Sequence, residues 1–460
     1  MTRIFEKKED TMPNNINMEW AEREFSGTKL PDERFRPNLI KMAASLIERV
    51  ESSFSSSCGE AVRKAAWRLF SIEELDLGRG HEEATRARCD SEQIILVAED
   101  TTDLNYWNHK ATKGLGLLGG QKTVLGLSVH SAIALTEAGE PLGVVGEHIW
   151  APRTDGKKRG RLRDIDITEK ESYKWLLALG WAKKVFKDFG GTVIMVGDRE
   201  ADIYEHFAEE RPENIQLLVR IRDLRRKVFL EGKSLKIKTL PDQLPLKGTL
   251  EVALRRKKDR EERTAKLEIR FGKVSCPAPA DKKGNPQTLW LVHAKEIDYK
   301  EGVVPIEWYL FSTLAIESME DAIRFIGYYT KRWTIERFHY ILKQGLRIER
   351  LQFDNFTRLK NAIELYLIIG WYLLRLAYLG KTTPDQPAID YFDPLDIKLV
   401  EQISSRKIKT VKQFIIALSS LAGFTPTKKQ PLPGEKLLWQ SMRTLIAIRK
   451  GFEMAKFYGT

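Results

Sequence analysis

Three short apolar runs constrain this chain more than any other feature: "QIILVAED" (93–100), "GTVIMVGD" (191–198) and "IQLLVRIR" (215–222). Each is rich in Ile, Val and Leu and bounded by polar or turn residues, so each reads as a strand. Between the first two lie "TVLGLSVHSAIAL" and "PLGVVGEHIWAP", joined by "TEAGEP", which predicts a hairpin. A helix over about 169–188 and a second at "READIYEHFAEE" (199–210) separate the remaining strands. Strand, hairpin, helix, strand, helix, strand is the order of an α/β domain with a sheet of mixed pairing.

The rhythm breaks at 223–305, where charged β-like pieces such as "TAKLEIRFGKV" and "TLWLVHAKEI" predict an all-β insertion. "PIEWYLFSTL" (305–314) reads as one more strand. Both ends of the chain look helical. In 19–70, Leu39, Met42, Ala43, Leu46, Ile47 and Val50 recur at helical spacing, while Arg34, Arg36, Lys41 and Arg49 stay off that stripe. Such a unit could bind DNA or form a solvated helical lid. A long apolar helix over about 355–379 leads through "GKTTPDQPAIDYFDP" into a helical region, 395–460.

With 460 residues there is room for two or three domains with full cores. Apolar and charged residues, 42% and 30%, exclude a disordered chain. The net charge of +12 makes an acidic polymer the first partner to consider. Cys58, Cys89 and Cys276 are far apart and form no zinc spacing with histidine, so a reduced, cytoplasmic compartment is expected. "MTRIFEKKEDTMPNN" is too charged for a signal peptide. "AIELYLIIGWYLLRLAYLG" (362–380) is marginal for a membrane span and carries Glu364 and Arg375, so a buried helix of a soluble protein is expected. "GLGLLGG" (114–120) lacks the GxxxxGK[ST] pattern and reads as a flexible loop.

Chemistry enters through isolated carboxylates. In "YYTKRWTIERFHYILKQG" (328–345) Glu336 is the single acid among aromatic and basic residues. At helical pitch Tyr329, Arg332, Glu336 and Lys343 fall within about 60° of one another. The stripe is either an Arg332–Glu336 ion pair on a solvated face or a place where an anion and a metal meet. Asp100 and Asp198 close two of the apolar strands, where Asp also serves as an ordinary turn or helix cap. Two-metal cleavage of a phosphodiester needs about three such carboxylates converging from different elements.

"AEDTT" (98–102), "DREAD" (198–202) and the spacing Y-x2-R-x3-E-x6-K resemble the DDE transposases of bacterial insertion sequences, and more narrowly the insertion-sequence family four branch. The likeness runs from about residue 19 to the C-terminus and is loose over 223–300 and at both ends. It implies an RNase H-like α/β core with the β insertion between the second Asp and the Glu. Asp100, Asp198 and Glu336 would bind two Mg²⁺ ions, with Mn²⁺ as the alternative. Tyr329, Arg332 and Lys343 would hold the DNA backbone, and Trp308 would stack on a base flipped from the duplex.

The implied reaction is cut-and-paste transposition through a hairpin within a synaptic homodimer. Residues 1–75 would bind the transposon ends through cations such as Arg34, Arg36 and Lys41. Residues 76–380 would form the catalytic domain, and 381–460 the dimer contacts. A catalytically silent DNA-binding protein and an RNase H-like nuclease without end specificity are the competing readings.

Overall fold

The computed structural model describes residues 16–48, 54–120, 123–152, 165–254, 263–428 and 430–458. The chain divides into two compact units, Glu82–Tyr340 and a second that joins Met1–His81 to Ile341–Thr460.

Among the described residues, the Glu82–Tyr340 unit is built on one twelve-stranded sheet. Its first part comprises β1 (Ile94–Asn105), β2 (Gly116–Leu117), β3 (Leu125–Thr136) and β4 (Pro141–Trp150), followed by β5 (Thr192–Gly197) and β6 (Ile215–Arg220). β3 runs antiparallel to β1 and β4, as the predicted hairpin requires. β1, β5 and β6 are parallel neighbours. The spatial order β4-β3-β1-β5-β6 puts the earliest strand in the middle, where Ile95, Leu96, Val97 and Ala98 are all buried. A strand covered on both faces needs an unbroken apolar run, which is what "IILVA" supplies.

Two layers of helix cover those faces. On one side α1 (Tyr173–Val185) packs Trp175, Ala178, Leu179 and Ala182 into a core with Val97, Val193, Met195 and Leu217. The short α2 (Tyr204–Ala208) adds Phe207 to it. On the other side lie α3 (Met319–Lys331) and α4 (Trp333–Tyr340), with α4 against β1. α3 begins with a capping box in which Ser318 and Asp321 satisfy each other's backbone N–H groups.

The strands β7 (Lys227–Leu230), β8 (Lys233–Lys236), β9 (Leu246–Leu254), β10 (Arg263–Cys276) and β11 (Gln287–Ile297) fill the segment read as an all-β insertion. They extend the main sheet, because β12 (Glu307–Ser312) pairs with β11 on one side and β6 on the other. β6 thereby avoids presenting an open row of backbone groups at a sheet edge. The Gly-rich stretch is also more ordered than a flexible loop: Gly116 and Leu117 pair with Gly126 and Leu125. The basic segment "RTDGKKRGRLRD" (153–164), together with Arg49 and Val50, lies outside the described residues.

The other unit is helical. Leu39, Met42, Ala43, Leu46 and Ile47 are buried along the helix Arg36–Glu48, as their spacing predicts. The helix Phe356–Thr382 is long and apolar enough to cross a membrane, but 83% of its most apolar window is buried. Asn361 in its interior donates to the carbonyls of Phe70 and Ile72, a buried polar group fully engaged as a donor. The helices Pro394–Ser404, Val411–Ser420 and Glu435–Tyr458 pack around Val400, Phe414, Leu418 and Leu438. The three cysteines are buried.

Candidate active site

Asp100 does not close its strand as expected: pairing with β3 carries β1 on to Asn105, and Asp100 lies two residues past the end of the ladder to β5, Ala98 opposite Val196. Carried two residues further, that register sets Asp100 level with Asp198, the residue that follows β5. The Asp198 side chain caps a 3-10 turn, Arg199–Ala201, by accepting from Glu200 N–H at 2.7 Å. Gly197 makes the turn feasible, since a Cβ there would stand 2.5 Å from the Ala201 Cβ.

The rest of "DREAD" is tied down on both sides. Lys174 of α1, itself buried, reaches Glu200 at 2.9 Å. Asp202 accepts from the Arg222 backbone N–H and the Arg226 guanidinium. Those bonds hold Asp202 out of helical conformation. The predicted helix over 199–210 is therefore a 3-10 turn followed by the five-residue α2.

His206, within α2, is fully buried, and that burial pushes its imidazole down to about 4 although Ala201 O lies 3.3 Å from Nδ1. The folded chain thus keeps His206 neutral where the unfolded chain protonates it. Its contribution to stability is intact above about pH 6.5 and lost as the pH falls toward 4. Between pH 6.5 and 4.5 the unsubstituted chain should lose about 2–3 kcal/mol more than His206→Phe, measured by urea unfolding at both pH values.

The third carboxylate arrives through Arg332. Its Nη1 donates to Asp100 Oδ2 at 2.8 Å and its Nη2 to Glu336 Oε1 at 2.7 Å. The Arg332–Glu336 pair predicted from the sequence is present, and the same guanidinium also holds Asp100, 232 positions away. The Arg332 side chain is 12% exposed, against 23% for Asp100 and 31% for Glu336. Burial raises the Asp100 carboxyl above its usual range, and nearby Asp198 adds to this, while Arg332 and the Thr101 N–H oppose it. Burial works against the Arg332 charge too, but Asp100, Tyr329 and Glu336 hold the guanidinium above its ordinary value.

Behind Asp100 the strand carries Glu99 into the opposite layer, where it is completely buried 3.5 Å from His130 Nε2. Burial, then the charges of Asp198 and Asp100, push Glu99 well above its usual range. Burial, then Lys174, pushes His130 well below its own. Both shifts favour the uncharged form of the group. The Trp175 ring stands edge-on to His130 at 4.8 Å.

The predicted DNA-contact residues fall in several places. Trp308 on β12 is half-buried, with its ring edge-on to Tyr329 at 5.7 Å. Tyr329 is buried near the end of α3. The even stripe from Tyr329 to Lys343 is not carried through. Lys343 sits on a π turn, Ile341–Gly345, where Leu346 N–H donates to the Ile341 carbonyl five residues back, and that residue range belongs to the helical unit. A wider turn changes the angular phase of every residue after it.

In the helical unit Arg34 is exposed and paired with Asp32. Arg36 spends all five guanidinium N–H groups on Glu33 and the carbonyls of Phe25, Ser26 and Thr28. Lys41 is exposed.

Among the described residues no three His, Cys, Asp or Glu side chains stand close enough together to hold an ion as they are. The donor chemistry still suits a hard divalent cation, because Asp100, Asp198 and Glu336 offer only carboxylate oxygens. Arg332 supplies positive charge between two of them. The sequence did not point to Lys174, Glu99 or His130, because their roles come from burial rather than spacing.

Two family models match parts of the chain. Residues 17–75 match a family model described as Transposase DNA-binding, and residues 185–371 match one described as Transposase DDE domain. The second match includes Asp198, Trp308, Tyr329, Arg332, Glu336 and Lys343 and begins after Asp100. A solved piggyBac transposase synaptic complex with hairpin DNA aligns over 94% of this chain and 70% of that one, at 8% identity and a TM-score of 0.33. A likeness that remote carries no argument. DDE transposase domains generally need divalent metal ions. The two family matches, a DNA-binding domain followed by a DDE domain, place the chain among the DDE-type transposases.

Proposed function

We propose that this transposase performs cut-and-paste transposition of a bacterial insertion sequence of the family four branch, with Asp100, Asp198 and Glu336 as its metal-binding triad on an RNase H-like core. The observation that carries the reading is the Arg332 guanidinium shared by Asp100 and Glu336, beside a β1/β5 register that brings Asp198 level with Asp100. The strand order β4-β3-β1-β5-β6, antiparallel then parallel, supports the RNase H-like assignment.

Each step is an in-line displacement at phosphorus. Water attacks the phosphodiester at the transposon end, the P–O3′ bond breaks, and a 3′-hydroxyl is left. That hydroxyl attacks the opposite strand, releasing the flanking DNA and closing a hairpin. Water reopens the hairpin, and the same 3′-hydroxyl finally joins target DNA. Two bound divalent ions, Mg²⁺ on this reading, would polarise the attacking oxygen and stabilise the leaving one.

The chain's own residues orient the DNA. Arg332 turns from the carboxylates to a phosphate, and Lys343 contacts the backbone as a point charge. Trp308 stacks on a base drawn out of the duplex beside Tyr329. Residues 1–75 bind the ends, and 381–460 supply the contacts of a cytoplasmic synaptic dimer. Arg36 is less suited to phosphate than Arg34 or Lys41, since its fork already holds a turn.

Cleavage of a duplex carrying the inverted repeats that flank the gene, compared with a random duplex in Mg²⁺, tests the reading. Preference for the repeats is expected. Equal cutting of both would indicate a nuclease without end specificity, and binding without cutting a silent DNA-binding protein. Trp308→Ala should slow hairpin formation about tenfold more than the first nick, because stacking on a flipped base is worth about 1–3 kcal/mol. Equal losses at the two steps, resolved on denaturing gels, would assign Trp308 to packing alone.

A further inference from the structure

We propose that Ser131 and His339 form a positioning pair that sets where Glu336 stands against Asp100, an inference that rests on reading those two acids as metal ligands. Ser131 Oγ and His339 Nε2 share a hydrogen bond of 2.9 Å, and both residues are buried. Ser131 is the residue of β3 directly opposite Asp100. His339 lies on α4, three residues after Glu336. One polar contact therefore joins the element that carries the third acid to the sheet at the level of the first.

The need for such a tether follows from the local backbone. α4 has only eight residues, the helix is interrupted at Arg332 before it, and a π turn follows it. A short helix with irregular ends is not held in rotation by its own hydrogen bonds. Ile335 and Phe338 bury its apolar side, but apolar packing is non-directional and tolerates a slide or a small rotation. The hydrogen bond does not: its angle and length restrict both. The Glu336 carboxylate meets Arg332 alone among the described partners, so its position depends on that of the helix. Neighbouring His130 points the other way, to Trp175, so Ser131 is the residue of that pair turned toward α4.

The test measures metal binding in the full chain, without DNA, from the loss of the free Mn²⁺ electron paramagnetic resonance signal. Ser131→Ala and His339→Ala should each weaken Mn²⁺ binding about fivefold, the equivalent of one net hydrogen bond. The double variant should be no weaker than either single one, and Ser131→Thr, which keeps the hydroxyl, should restore affinity. Thermal unfolding of each variant identifies any that has lost its fold, and Ser131→Ala removes a single oxygen, so at least one arm is readable.

Glu336→Ala is the control for the underlying reading. If it weakens Mn²⁺ binding and the Ser131 and His339 variants do not, the pair has only a packing role. Losses that add in the double variant would overturn it equally. If Glu336→Ala leaves the affinity unchanged, the ligand assignment fails and the positioning role falls with it.

Discussion

Asp198→Ala and Glu336→Ala should each reduce Mg²⁺-dependent cleavage of an end-containing duplex by about a thousandfold or more, with end binding within about threefold of the unsubstituted chain. The size follows from the chemistry. A divalent ion contributes several kcal/mol to stabilising charge at a reacting phosphoryl group, and each 1.36 kcal/mol is about tenfold in rate. Removing one of three carboxylates loosens the ions themselves and loses most of that stabilisation.

Binding survives because both substitutions remove negative charge from a surface that must approach phosphate. Neither side chain supports the fold from a core position: Asp198 caps a surface turn and Glu336 is the most exposed member of the Arg332 group. Gel-shift and cleavage assays on the same duplex separate the two effects. Full cleavage by either variant would remove that residue from the triad.

Arg332→Ala carries the second large effect, and its sign depends on metal. The guanidinium is the cation between Asp100 and Glu336, and its loss leaves two part-buried carboxylates facing each other with Asp198 nearby. Removing one partner of a fully buried pair costs about 3–5 kcal/mol. The exposure of these carboxylates brings the expected loss down to about 2 kcal/mol in a chelator. Mg²⁺ should restore most of it, since an ion held at a hundred times its dissociation constant contributes about 2.7 kcal/mol.

Urea unfolding with and without Mg²⁺ measures both quantities. Equal instability in the two conditions would mean the carboxylates do not gather an ion. On DNA, Arg332→Ala should also lower the slope of log affinity against log salt by about one, the signature of one lost phosphate contact.

The sequence was most legible where short-range pattern controls structure. Apolar runs located β1, β5 and β6, and the first acids after two of those runs drew attention to Asp100, which lies within β1, and Asp198, which follows β5. The Arg332–Glu336 pair was readable as an i,i+4 spacing. Arg332 reaching Asp100 was not, since nothing within a window of "YYTKRWTIERF" refers to a strand more than two hundred residues earlier. The π turn escaped for a different reason: "ILKQG" has ordinary helix-forming composition, and helical periodicity assumes a constant pitch. The β segment over 223–305 was recognisable as strands, but its joining to β6 is a tertiary choice made by β12. Glu99 and His130 show the remaining limit. Their polarity gives no hint that both lie in the apolar layer.

The shared guanidinium has a consequence for the order in which the site is filled. Arg332 cannot serve the carboxylates and a DNA phosphate equally well at one moment. Phosphate that draws it away raises the negative charge left for a cation, and a cation on the carboxylates frees the guanidinium for phosphate. On the proposed roles, binding of the two would be cooperative, and thermodynamic reciprocity would require each to strengthen the other by the same factor. On those roles, the chain with DNA bound would hold metal more tightly than the chain without it.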